Sequence, residues 1–278
     1  MKYLNLGCGA HYSIADEWVN LDFEAGLPGV IGHNLLKGIP YPDGTFDFVY
    51  HSHVLEHFSK ADGELFVSEC FRVLKKGGIL RVVIPDLERI AKEYIKYLEL
   101  GMMEPDNSQF KANYNWILLE MYDQTVRNFN GGNLAEYILQ ESIPNEDYLY
   151  ERIGEEGRSI RKFYLENKTS ELVPAIFSDT QGLIRRIKNK IREYLLDFLK
   201  IDMSVYEVGK FRMGGQIHQW MYDRYSLTNL MKEKGGDQII VKDAFSSYLS
   251  NWEIYSLDGK RPITRKPDSL FVEAIKTN

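Results

Sequence analysis

The spacing of apolar and polar positions changes character twice along the chain. Across residues 1–100, short apolar runs alternate with longer amphipathic stretches, the pattern of strands alternating with helices in a parallel α/β sheet. Lys2–Leu6, Trp18–Asp22, Pro28–Ile31 and Thr45–Tyr50 read as four strands, the last entered through the turn Pro42-Asp43-Gly44. A helix is expected from Ser59, which can cap it, to Lys76. Its apolar face is Leu65, Phe66, Val67, Phe71 and Leu74, and Gly77-Gly78 are expected to stop it. Ile79–Ile84 is a nearly unbroken apolar run, as a strand buried on both faces requires, and Pro85 ends it.

The alternation then gives way to helical periodicity over Leu87–Leu100, Tyr114–Phe129 and Gly182–Lys200. It returns after Gly214-Gly215, with a helix over Arg224–Lys234 and strands over Gln238–Lys242 and Ser269–Lys276, separated by a long connection rich in proline and charge. The pattern predicts an α/β, Rossmann-like, seven-stranded and mostly parallel sheet, with helices on both faces and a large, mainly helical insertion after strand five. Residues 1–100 and 210–278 would form the sheet domain and 101–209 the insertion. Such an insertion lies at the C-terminal edge of the sheet, where open α/β folds bind ligands, and is expected to act as a substrate lid.

Composition narrows the functional classes. The 278 residues are 44% hydrophobic and 27% charged, enough for a real core. Acids outnumber bases by 40 to 34, a net charge of −6, which disfavours a nucleic-acid partner. Cys8 and Cys70 are too few for a disulfide framework or a cysteine metal site and point to a reducing compartment. No apolar run approaches the roughly 18 residues of a membrane span, and because Met1-Lys2-Tyr3 leads straight into a predicted strand, no signal peptide is expected. A cytoplasmic enzyme is expected.

The chemistry-bearing positions cluster at predicted strand ends. Leu4-Asn5-Leu6-Gly7-Cys8-Gly9 closes the first strand with two glycines that let backbone approach a ligand, and Asp22 ends the second. Only 12 residues separate Gly9 from Asp22, short of the roughly 20 of a dinucleotide site. Further on come Ile39-Pro40-Tyr41-Pro42-Asp43-Gly44-Thr45-Phe46-Asp47, His51-Ser52-His53-Val54-Leu55-Glu56-His57 and Arg72-Val73-Leu74-Lys75-Lys76-Gly77-Gly78. Together these segments resemble class I S-adenosylmethionine-dependent methyltransferases of the small-molecule group (type 11-like). The pieces His218-Gln219-Trp220-Met221-Tyr222-Asp223-Arg224 and Lys266-Pro267-Asp268-Ser269-Leu270 are similar to methyltransferases associated with bacterial surface-polysaccharide synthesis.

The resemblance implies S-adenosyl-L-methionine as cofactor, S-adenosyl-L-homocysteine as product, and a cofactor site of Leu6, Gly7, Cys8, Gly9, Asp22, Phe23, Asn34, Leu35, His51 and Ser52. Gly7 and Gly9 would pass close to the methionyl and ribose portions, Asp22 would take the ribose hydroxyls, and Asn34-Leu35 would border the adenine. His51 and Ser52 would meet the methionyl group. Cys8 reads as a small apolar filler.

Methyl transfer is an in-line displacement, and a hydroxyl acceptor benefits from a general base. The candidate catalytic residues are His218, His57, His53 and Tyr222. Glu56-His57 can equally pin the start of a helix to the sheet, and Asp223 can orient His218 or cap the next helix. No metal is assigned, although His53, Glu56, His57 and His218 also resemble the ligand arrangement of metal-dependent O-methyltransferases. The expected acceptor is a saccharide or other small hydroxylated molecule. The alternatives are a small amine or protein, or a non-catalytic module that keeps the fold. The basic and apolar sides of Gly182–Lys200 allow weak contact with a membrane surface or a lid helix with a solvated face.

Overall fold

A computed structural model describes residues 1–23, 26–167 and 203–277 of the chain. The expected helix over Gly182–Lys200 lies outside the described residues. Seven strands form one sheet in the order β3-β2-β1-β4-β5-β9-β6: β1 (Tyr3–Leu6), β2 (Trp18–Asp22), β3 (Val30–Gly32), β4 (Phe46–Ser52), β5 (Leu74–Pro85), β6 (Gly236–Lys242) and β9 (Ser269–Lys276). Only β9 runs against its neighbours, pairing antiparallel with both β5 and β6. Between β6 and β9 a small hairpin joins β7 (Gly259–Lys260) to β8 (Ile263–Thr264).

One face of the sheet buries Leu4, Leu6, Val49, Leu80, Val82 and Val272 against helices α1 (Lys60–Val73) and α7 (Arg224–Glu233). Ser59 and Asp223 cap these helices. Asp223 makes a reciprocal capping box with Ser226, which settles its role as the helix start. The opposite face carries Tyr3, Trp18, Phe48 and Tyr50. Where helices were expected on both faces, this one is covered by Ala244, Leu249, Trp252 and Leu257 of the connection after β6 and its short 3-10 turn Trp252–Tyr255. Buried Arg81 pins that layer. It bonds Asp258 and Glu273 at 2.8 Å each, donates to the carbonyls of Asp243 and Ser246, and lies over the Trp252 ring.

The glycine pair 77–78 does not end a helix as expected. Helix α1 stops at Val73 and Leu74 already pairs with Phe46, while the next partners are Phe48 and Ile79. Lys75–Gly78 therefore bulge out of the sheet inside β5. Gly77 has φ of +77°, and a Cβ on Gly78 would press on the Lys75 carbonyl at 2.9 Å.

Helices α2 (Leu87–Met103), α3 (Ser108–Val126), α4 (Gly132–Ile138), α5 (Glu146–Asn167) and α6 (Met203–Met213) lie between β5 and α7. Helix α2 follows β5 directly, capped by Asp86, and runs on past residue 100. A separate core of Tyr97, Trp116, Ile138, Ile143, Tyr148 and Leu149 holds α2, α3, α4 and α5 together. A buried Arg152–Glu120 pair adds a link between α5 and α3. Helix α5 breaks at Gly154 (φ 61°, ψ −147°), where it meets Arg265 and Pro267 of the β8–β9 link.

Candidate active site

Strand β1 ends in a tight turn because Gly7 and Gly9 adopt φ of +61° and +52°, a region that L side chains rarely enter. A Cβ on Gly7 would lie 2.4 Å from Val54 Cγ2, whereas one on Gly9 would meet nothing within 4 Å. The Cys8 amide donates to the Leu21 carbonyl, and the Gly9 amide donates to Asp22 Oδ2 at 2.7 Å. The turn and the carboxylate at the end of β2 thus form one rigid unit at the C-terminal edge of the sheet. An open glycine cradle beside a fixed carboxylate fits a nucleoside, so these residues suit the expected cofactor. Cys8 is buried, and burial pushes its thiol up to about 12, which agrees with a filler rather than a nucleophile.

The remaining expected cofactor residues are placed differently from one another. Leu6 is fully buried in the sheet and pairs with His51. Phe23 is exposed beyond Asp22. The Asn34 side chain caps the 3-10 turn Leu35–Lys37 by accepting from the Leu36 amide, so it is engaged locally. Ser52 lines a cleft of about 790 Å³ that starts at the Gly7–Gly9 turn. The His51 side chain points to the other face of β4. There it is fully buried edge-on to Phe66, with neither ring nitrogen hydrogen-bonded, and burial lowers its pKa to about 3.

That cleft is walled by α5 and by the β7–β8 hairpin. A second cleft, of about 290 Å³, opens beside it between β4, α3 and α5, and His53, Glu156 and Lys266 line both. His57 and His218 line the second cleft with Trp116, Glu120 and Asp268. Tyr222 does not reach either one. It packs in the main core over Gly63 with its hydroxyl unpaired, and burial pushes its pKa up to about 12.

The histidines surround Glu56, which is buried. His53 takes φ of +56°, so the segment is not the α-helix that would stack His53 above His57; only Leu55–His57 form a 3-10 turn. His53 Nδ1 lies 3.1 Å from Glu56 Oε1, and its Nε2 is 2.8 Å from Ser269 Oγ. His57 Nδ1 donates to the Ile217 carbonyl at 3.1 Å, which leaves the lone pair on Nε2. The His218 ring stands edge-on to His57 at 4.9 Å, its Nε2 4.0 Å from Glu56 Oε1, and the Gln124 carbonyl holds its backbone amide.

Burial dominates the electrostatics. It lowers His57, takes His53 and His218 well below the ordinary histidine range, and pushes Glu56 up to about 8. At neutral pH the group is therefore a protonated carboxyl among neutral imidazoles. Glu56, His57 and His218 also offer ligand-type atoms within 4.8 Å of one another, a spacing that can hold a cation; His53 is outside this trio.

Several residues at the clefts carry no signal in the sequence. His11 and Arg265 line the first, and Glu156 stands between the two. Lys266 and Asp268 belong to a segment already singled out, but nothing in its pattern shows that it folds back to His53. Glu156 sits in a charged helical run that looks like a solvated face.

Residues 21–82 match the family described as a methyltransferase domain. The chain is 32% identical over 119 residues to the probable pectin methyltransferase QUA2 of Arabidopsis thaliana, covering 43% of this chain and 16% of that protein. It is 37% identical over 98 residues to a probable S-adenosylmethionine-dependent methyltransferase of Mycolicibacterium smegmatis, covering 30% and 37%. The chain thus spans well under half the length of either relative. A solved S-adenosylmethionine-dependent methyltransferase from Archaeoglobus fulgidus aligns over 99% of this chain and 86% of its own, at 12% identity and a TM-score of 0.39.

Proposed function

Starting from a chain that carries a class I S-adenosylmethionine-dependent methyltransferase domain, we propose that this protein methylates a hydroxyl of a saccharide or similar small hydroxylated molecule. The observation that carries the reading is the union of the two clefts at His53. One begins at the glycine turn, and the other is lined by His57 and His218 as neutral imidazoles, His218 buried and His57 half-buried. The similarity to a probable pectin methyltransferase supports a saccharide acceptor.

Gly7, Gly9 and Asp22 hold the nucleoside, and Ser52 lies toward the amino-acid end. Bound there, S-adenosylmethionine supplies an electrophilic methyl group. The acceptor enters the second cleft, where Trp116 and the apolar wall of Leu134 and Ile138 exclude water and Glu120 and Asp268 offer hydrogen-bond acceptors. His57 Nε2, kept as an acceptor by the Nδ1 bond to Ile217, takes the hydroxyl proton. The Ile217 carbonyl and the edge-on His218 ring hold His57 in place, and the half-buried His57 returns that proton to solvent.

The test is release of S-adenosylhomocysteine with a panel of neutral and acidic saccharides, followed by a pH–rate profile. Because burial lowers the pKa of His57, turnover should be level from pH 7 to 8 and fall only as the pH drops below the ordinary histidine range near 6.5. His57→Gln should reduce kcat about a hundredfold with little change in cofactor affinity. A rate that climbs steadily into alkaline pH would mark an amine acceptor instead. Retained activity in His57→Gln, with loss in His218→Gln, would move the base to His218.

A further inference from the structure

The junction of the two clefts holds an arrangement that the methyltransferase reading leaves unexplained. Arg265 follows β8 and reaches back to β4, where its guanidinium lies 3.3 Å from Ser52 Oγ. Its Nε is buried and has no hydrogen-bond partner. Lys266, the next residue, turns toward the same space. A carboxylate already sits between them: Glu156 of α5 is 2.8 Å from Lys266 Nζ and 3.7 Å from Arg265. The first cleft is lined by Lys260, Arg261, Arg265 and Lys266 against only Glu155 and Glu156, so its walls favour an anion.

We infer that Arg265 and Lys266 form a receptor for the amino-acid carboxylate of the cofactor, and that Glu156 holds that place when the site is empty. The inference rests on the cofactor reading above. Position argues for this ligand rather than for an acid on the acceptor: Arg265 lines the first cleft and not the second, and its partner Ser52 ends the strand that lies beside β1 and its glycine turn. A guanidinium with an unpaired buried Nε gains a charge-assisted bond from an incoming carboxylate. Glu156 is 38% exposed, so it can give up its contact with Lys266 to solvent when that carboxylate arrives. Its helix is joined to the receptor at Gly154, where a Cβ would lie 2.8 Å from the Arg265 carbonyl, so ligand binding and the docking of α5 are coupled.

Calorimetry with two probes tests this on the full chain: S-adenosylhomocysteine, and 5′-methylthioadenosine, which lacks the amino-acid group. Arg265→Gln should weaken S-adenosylhomocysteine at least tenfold and leave methylthioadenosine unchanged. Arg265→Lys should restore part of the loss, and Glu156→Gln should tighten S-adenosylhomocysteine several-fold. Equal loss of both probes in a folded Arg265→Gln protein, or no loss of either, overturns the receptor. Weaker binding in Glu156→Gln overturns its placeholder role, since that would make Glu156 a partner of the ligand's ammonium group. If Arg265→Gln binds both probes normally but no longer saturates with an acidic saccharide, the carboxylate belongs to the acceptor and the inference fails. A wild-type protein that binds neither probe sinks the cofactor reading itself.

Discussion

At the scale of single residues, the two glycines of the first turn have different burdens. Gly7 is hemmed in by Val54 Cγ2, 2.4 Å from where its Cβ would stand, while the space above Gly9 is open. Gly7→Ala therefore combines a collision with left-handed strain and should lower the melting temperature clearly. Gly9→Ala pays only the strain, about 1–2 kcal/mol. Its new methyl group faces the cradle, so it should cut S-adenosylhomocysteine affinity at least tenfold while the protein stays folded. Calorimetry beside thermal unfolding separates the two, and a Gly9→Ala protein with wild-type affinity would remove the turn from the cofactor site. This turn was legible in the sequence because it is local: a strand, two glycines and an acid 13 positions after the second. His51 was less legible. Its side chain leaves the cleft because strand geometry alternates sides, and Tyr50 and Ser52 took the side that faces the ligand.

At the scale of elements, the strands and helices with strong periodicity were readable and those defined by distant partners were not. The segment after β6 looked like a polar connection, yet it covers a sheet face. Its anchor is the bond between Arg81 and Asp258, 177 positions apart, which no local pattern encodes. Gly77-Gly78 looked like a helix stop because paired glycines commonly serve that purpose, and only the pairing of Leu74 with Phe46 reveals that Lys75–Gly78 are a bulge. Helix α5 has a similar dependence. Gly154 breaks it at φ 61°, and a Cβ there would lie 2.4 Å from Pro267 Cδ. Gly154→Ala should loosen α5 from the β8–β9 link and destabilise the protein by about 1–3 kcal/mol. Limited proteolysis should then cut within α5 sooner than in the wild type. An unchanged melting temperature and cleavage pattern would show that this contact does not hold the helix.

At the scale of the whole molecule, the buried titratable groups give stability an uneven dependence on pH. His51, His53, His57 and His218 all have pKa values below the ordinary 6.5, His51 at about 3, because burial opposes their charge. Their contribution is complete above pH 6.5 and is lost as the pH falls toward the folded-state values, since the unfolded chain then binds protons that the folded one refuses. Glu56 and Asp268 behave in the opposite sense. Burial raises them to about 8 and about 6, so their contribution is present below the unfolded carboxyl range and fades as the pH rises through those values. Between pH 4.5 and 6.5 the lowered histidines, His11 of the first cleft among them, outnumber the buried acids raised by desolvation, Glu56, Asp258 and Asp268, so stability should fall as the pH drops through this interval. Above pH 6.5 Glu56 supplies most of the remaining slope and stability declines again, so the maximum should fall near pH 6.5. Urea unfolding at pH 5, 6.5 and 8 measures both arms. His51→Leu, which suits the apolar contact with Phe66, should flatten the acid arm, and Glu56→Gln should flatten the decline from pH 6.5 to 8. If Glu56→Gln and the wild type lose stability in parallel over that interval, Glu56 is ionised in the folded protein, and the neutral cluster assigned to the second cleft is wrong.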